Sequence, residues 1–420
     1  MLSGTDTDTA LRRGQSRVVG SAGSSILDLG RSWGKRVKLA VKQYERMTRR
    51  GVWAAGRLVW VIVLLAGSRA ALAADADGAA GAKGVGVVAA AGRNGAAGPV
   101  ARGAGATFPA PLYAAWSAGY ARATGINISY EPVGSGSGLA RIRSHEVDFG
   151  ASDAPLTQRE LAAADLIQFP VVIGGLVPVI NITGIEPGQL KLSGGVLAEI
   201  YLGHIRKWND SRIAEINPGL SLPSANITVV HRSESSGSTF LWTQFLSRSS
   251  QTWRTEVGES LAPRWPVGVG GVGNEGVASY VQRTRFAIGY VEFYFSRQHN
   301  LSDAALRNRD GRFVQAGSAT FLAAAEAANW RPEADVGQLP IDSPGSSSWP
   351  ITGATFILLY RTPQDPARAR EVLRFFNWGL HEGQMSIESL EYTPIPAAVR
   401  DALPSLWGTI HDRAGKPVWP

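Results

Sequence analysis

Short β-branched runs alternate with helical spacings along most of this chain. Residues 126–130, 147–151, 169–182, 227–230, 286–291 and 355–359 are apolar runs rich in Val, Ile and aromatic residues, and each predicts a strand. Tyr113, Trp116 and Tyr120 recur at i, i+3 and i+7 and predict a helix over 112–120. Thr157 with Glu160 three residues on is a capping box that opens a helix through Ala164. Phe240, Leu241, Phe245 and Leu246 form a further apolar stripe. Alternation of this kind predicts an α/β fold with largely parallel sheets.

The N-terminal pattern is different. Residues 47–73 read MTRRGVWAAGRLVWVIVLLAGSRAALA: Arg49 and Arg50 precede an apolar run at 58–66, and Ala71-Leu72-Ala73 is a small-x-small cleavage site. The run falls short of the roughly 20 apolar residues of a spanning helix, and Arg57 and Arg69 bracket it. Residues 47–73 are therefore expected to be a signal peptide, cut after Ala73. Residues 1–46 have no hydrophobic period and end just before Met47, so they are expected to be an upstream extension from a misassigned start. Residues 74–100 hold 10 Ala and 7 Gly, too little apolar bulk for a core, and are expected to form a flexible leader. About 320 residues remain, a length that suggests two lobes.

Charge changes the picture once it is divided. The whole chain carries a net +8. Residues 1–73 hold 13 Lys+Arg and 4 Asp+Glu; residues 74–420 hold the remaining 29 and 30. The globular part is near neutral, so composition does not indicate a polyanion-binding surface. The absence of Cys excludes disulfides, thiolate metal sites, a Cys nucleophile and a lipoprotein anchor. None of the six His shows metal-ligand spacing, so no metal or cofactor is expected. His231 adjoins Arg232 and is read either as a strand-face residue or as a neighbour of a bound anion.

Three small-residue turns each stand before a helical pattern: GAGATFP at 103–109, GSGSG at 134–138 and SSGS at 235–238. Each offers backbone N–H groups, a hydroxyl and the positive end of a helix dipole, about +0.5 charge. Any one of them is most simply a helix cap. Three together, with Arg232 four residues before Ser236, suit an anion site with few formal cations. GSGSG is not a Walker loop, because no Gly-Lys-Ser/Thr follows it. Asp153 ends the strand pattern of VDFGASDAPL, where ligands of α/β sheets bind. It is a turn residue on the plain reading. On the sharper reading, a buried ionised carboxylate only accepts hydrogen bonds, so it admits an oxyanion that brings a proton and repels one that does not. Phosphate brings that proton at neutral pH; sulfate does not.

The strings GAGATFPAPLYAAW, VGSGSG, VDFGASDAPL, FPVVIGG, YLGHIRKWND, HRSESSGSTF, WPVGVGGVGNEGVASYVQ, AIGYVE, WPITGATFIL and AGKPVW occur in this order. In them, residues 101–420 closely resemble the periplasmic phosphate-binding proteins, the solute receptors of ABC-type phosphate importers. The resemblance implies a two-lobed periplasmic-binding-protein fold of type II, each lobe a mixed sheet flanked by helices, with the ligand in the cleft between them. It implies lobe one at 101–180 plus 353–420 and lobe two at 181–352, with the chain crossing near 178–182 and 352–356. It implies a monomer in the periplasm that captures inorganic phosphate and hands it to a membrane permease and its ATPase, with no chemical step. The implied phosphate ligands are Ala106, Thr107, Phe108, Ser135, Asp153, Arg232, Ser236, Gly237 and Ser238. Glu234 is implied to restrain Arg232. Two positions depart from the family pattern: Ser238 stands where Thr is common, and Glu234 where Asp is common.

Two rival readings carry less weight. A phosphomonoesterase using Ser135 or Ser236 would need a base or metal beside the serine, and neither serine lies in a Gly-x-Ser-x-Gly elbow. A receptor for another oxyanion such as sulfate conflicts with Asp153.

Overall fold

The computed structural model describes residues 100–328 and 339–420. The expectations for residues 1–46, 47–73 and 74–99 lie outside the described residues.

In chain order the strands are β1 (Ala101–Gly105), β2 (Ile128–Glu131), β3 (Phe149–Ser152), β4 (Leu166–Ile180), β5 (Lys191–Leu192), β6 (Thr228–Arg232), β7 (Val269–Gly271), β8 (Ala287–Glu292), β9 (Ser302–Asp303), β10 (Ala305–Arg307), β11 (Phe313–Val314) and β12 (Thr352–Tyr360). A nine-stranded sheet runs β2-β1-β3-β12-β4-β8-β6-β7, with β9 added beside β4, and β11-β10-β5 form a small second sheet. The six strand expectations all match strands, with ends displaced by a few residues.

The expectation of largely parallel sheets needs correction. β1 lies parallel to β2 and β3, and β6 lies parallel to β7 and β8. Between these two parallel groups, β12 pairs antiparallel with β3 and β4, and β4 pairs antiparallel with β8. The sheet is mixed because two long strands join the groups. Every residue of β4 and β12 is buried, so their apolar runs are continuous rather than alternating.

β4 changes core along its length. From Ile167 to Ile173 its buried residues pack in a cluster with Phe108, Trp116, Phe356 and Phe376, whereas Leu176 and beyond pack with Trp208, Leu241, Trp242 and Tyr290. The returning strand does the same between Ile351 and Ala354. The two larger apolar cores are thus connected through adjacent strands.

The helix Ala110–Thr124 buries Leu112, Tyr113, Trp116 and Tyr120, the face its spacing predicts. The Thr157–Glu160 capping box is formed, on the helix Gln158–Ala163. Six strands, β1, β5, β7, β9, β10 and β11, escape the sequence pattern, and β1 is the one in the large sheet next to the first glycine segment. Its sequence resembles a glycine turn, yet it sits between β2 and β3 because its small residues leave room for large neighbours. A Cβ on Gly103 would lie 2.1 Å from the Phe149 ring.

Candidate functional site

Each small-residue segment meets the site through its own local cause. Gly134 adopts φ 90°, a conformation L side chains rarely take, and its N–H donates to the Gly105 carbonyl at 2.8 Å. The chain then enters the helix Ser135–Arg143 directly. The GSGSG segment is therefore the first helical turn itself, not a turn ahead of a helix at 139. In the third segment Ser236 caps the helix Gly237–Ser249, its Oγ accepting the N–H of Thr239 at 3.2 Å. Gly237 and Ser238 consequently occupy the first helical positions, whose N–H groups have no intrahelical acceptor.

Asp153 follows β3 and is 1% exposed. Its Oδ1 accepts the hydroxyl of Thr355 at 2.6 Å, and its N–H donates to Ser135 Oγ at 3.3 Å. Oδ2 faces the helix start in the other core: a Cβ on Gly237 would lie 2.8 Å from Oδ2 and 2.5 Å from Ser135 Oγ. Burial pushes the Asp153 carboxyl up to about 7, although the Thr355 bond and the charge of Arg232 both pull it down.

Arg232 ends β6 and is 3% exposed. Its Nε donates to Glu234 Oε1 at 2.8 Å, and Nη2 also contacts that oxygen. Nη1 is buried with no hydrogen-bond partner among the described residues, and the same holds for Ser238 Oγ. A buried guanidinium N–H left unpaired is costly. Burial pushes the Glu234 carboxyl up, but the charge and hydrogen bonds of Arg232 outweigh it and hold it below the usual value. Glu234 Oε1 also accepts the Gly273 N–H at 3.0 Å.

The first segment joins the same group. Ala106 donates its N–H to Ala151 at 2.9 Å and accepts the Tyr130 hydroxyl at 2.7 Å. Thr107 Oγ1 accepts Asn274 Nδ2 at 3.0 Å, and the Phe108 carbonyl accepts the Tyr392 hydroxyl at 2.6 Å. Gly136 N–H donates to the Ser235 carbonyl at 3.1 Å. Short contacts thus join Asp153 to Ser135 and Gly237, and Arg232 to Glu234, whereas residues 106–108 bond to Ala151, Tyr130, Asn274 and Tyr392. His231 takes the plain option: its ring stacks on Trp265 with centroids 4.6 Å apart.

Sequence reasoning missed Thr355, Asn274 and Tyr130. Thr355 carried only a strand signal, and Asn274 lay unremarked in GVGGVGNEG. Among the described residues, no group of three or more His, Asp or Glu could hold a metal ion. Asp153, Ser135 and the helix start at Gly237 lie together, and Arg232 Nη1 and Ser238 Oγ keep buried unpaired polar atoms.

A model described as a PBP superfamily domain matches residues 77–380. The phosphate-binding protein PstS of Haemophilus influenzae is 47% identical over 307 residues, covering 73% of this chain and 92% of that protein. The chain belongs to the PstS family of the PBP superfamily. The Pasteurella multocida PstS is 45% identical over 318 residues, with 76% and 92% covered. A solved phosphate-binding protein from Stenotrophomonas maltophilia shares the fold at TM-score 0.57 and 20% identity, over 76% of this chain and 96% of that one. Among the described residues, no helix is long and apolar enough to cross a membrane.

Proposed function

We propose that this chain binds inorganic phosphate after export to the periplasm and delivers it to the permease and ATPase of an ABC-type phosphate importer. Asp153 carries the reading. It is a buried carboxyl with one oxygen occupied by Thr355 and the other turned toward Ser135 and the start of the helix at Gly237. Facing an oxyanion, the ionised group accepts a hydrogen bond from a proton the guest carries. Arg232 Nη1, Ser238 Oγ and the first-turn N–H groups supply donors for the other oxygens. Ala106, Thr107, Phe108, Ser135 and Ser236 complete the wall, and Glu234 holds Arg232 in place. The guest is bound whole and released whole; no bond is made.

The proposed lobes, 101–180 plus 353–420 and 181–352, largely divide the two bigger apolar clusters between them, and a smaller third cluster around Leu139, Leu161 and Leu358 falls in the first. The exchange of cores between Ile173 and Leu176 supports a flexing point near Gly174 and Gly175, a few residues before the crossing expected at 178–182. Closure about it would bury the anion and create a surface for the permease to recognise. The signal segment at 47–73 supports the periplasmic location.

Calorimetric titration of the purified protein tests the function. One phosphate per chain is expected to bind tightly, with arsenate competing and sulfate failing to compete at about pH 8.5. Equal affinity for sulfate there would overturn the role of Asp153, and phosphate turnover from a monoester dependent on Ser236 would overturn the binding-only reading.

A further inference from the structure

Glu292 is a buried carboxyl that touches none of the proposed phosphate donors. It ends β8 and caps the helix Phe293–Gln298, with Oε2 accepting the Tyr294 N–H at 3.1 Å. Its Oε1 is buried and has no hydrogen-bond partner among the described residues. A Cβ on Gly174 would lie 3.2 Å from this oxygen and 2.8 Å from the tip of the Phe108 ring, so the carboxyl sits directly behind the anion loop.

Tyr392 is equally buried and interacts with Glu292 through its hydroxyl. That hydroxyl donates to the Phe108 carbonyl at 2.6 Å. A phenol has one proton, and here it is committed. Toward Glu292 the tyrosine can therefore offer only a lone pair. Two acceptors would repel each other unless the carboxyl carries the hydrogen. The other groups acting on Glu292 are the N–H groups of Phe293 and Tyr294 and the negative charge of Asp153, none of them a cation. Tyr294 also stacks on Tyr392. Burial, reinforced by Asp153, outweighs the hydrogen-bond contacts that pull the other way and holds the Glu292 carboxyl well above the usual carboxylate range.

A second arm reaches the same loop. Asn274 accepts the Glu292 N–H through Oδ1 at 3.0 Å and donates through Nδ2 to Thr107. Side chains and backbone from Glu292 thus lead to adjacent residues, Thr107 and Phe108.

We propose that Glu292 is a protonated positioning residue: its carboxylic acid donates to Tyr392, which donates to the Phe108 carbonyl and so fixes the anion loop. The inference rests on reading residues 106–108 as part of the phosphate site. It implies that glutamine can replace the acid. The amide –NH2 donates to Tyr392, while the amide oxygen still accepts the Tyr294 N–H. A role for an ionised carboxylate would not survive that change.

Infrared difference spectroscopy of wild type against Glu292→Gln at about pH 8 reads the proton directly. A protonated-carboxyl carbonyl band is expected in wild type and not in the variant, shifting toward the free-acid frequency in Tyr392→Phe. Carboxylate bands in its place would overturn the proposal. In phosphate titrations, Glu292→Gln should stay within about twofold of wild type. Glu292→Met and Tyr392→Phe should each weaken binding about tenfold, mostly through faster release. Glutamine as damaging as methionine would also overturn it. If wild type bound no phosphate at all, the proposed function would fall, while the infrared band would still decide the protonation of Glu292.

Discussion

Thr355 donates its hydroxyl to Asp153 Oδ1 at 2.6 Å, from a β12 position next to the end of β3. The bond favours the ionised carboxyl against the burial that opposes it. Thr355→Val removes this donor with little change in volume, so the Asp153 pKa rises further. Sulfate should then compete with phosphate at a pH where the wild-type protein excludes it. Competition titrations across pH check this; an unchanged profile would mean that Thr355 does not tune the carboxyl.

The pH dependence of the wild-type protein has a definite sign. Asp153 is raised to about 7, so it is protonated below that pH and ionised above it. A protonated Asp153 can donate to an unprotonated oxygen, and sulfate becomes acceptable. Sulfate affinity should rise about tenfold per pH unit from about pH 8.5 down to 7 and level off below, as the binding-competent fraction saturates. Asp153→Asn should bind sulfate with a flat profile over that range, because its amide donates at every pH.

Gly237 lets its helix start lie close to Ser135 and Asp153. An alanine methyl there would meet Ser135 Oγ at 2.5 Å and Asp153 Oδ2 at 2.8 Å. Gly237→Ala should lower phosphate affinity at least about a hundredfold. The ligand-free melting temperature should change little, since the clash arises across the site and not within the helix. Calorimetry for binding and circular dichroism for melting separate the two effects.

Arg232 and Glu234 work as a pair. Arg232→Ala removes the only formal cation among the proposed ligands and leaves Glu234 without its partner. Phosphate affinity should fall about a hundredfold or more at all pH values. Glu234→Gln keeps an acceptor for Gly273 and Arg232 but loses the charge that orders the guanidinium. A loss of about fivefold is expected, expressed in the release rate measured by stopped flow. A loss as great as that of Arg232→Ala would make Glu234 more than a restraint.

Local chemistry was readable because it depends on neighbours in sequence. The helix face of Tyr113, Trp116 and Tyr120, the Thr157 cap and the buried run of β4 all follow from spacing and residue type. So did the candidate anion residues, whose small side chains and hydroxyls cluster before helical patterns. β1 was missed because Ala and Gly carry almost no strand signal of their own. Its place between β2 and β3 comes from partners 25 or more residues away in the chain.

By itself, the sequence determined the types of group available: an acceptor at Asp153, a cation at Arg232 and donors at three glycine-containing segments. Only the tertiary structure decided what those groups could do. It put Thr355 on one oxygen of Asp153 and Gly237 near the other, left Arg232 Nη1 and Ser238 Oγ unpaired, and set Tyr392 between Glu292 and Phe108. The physical reason is that protonation and hydrogen-bond capacity depend on burial and on which partners are already taken, and residues hundreds of positions apart supply both.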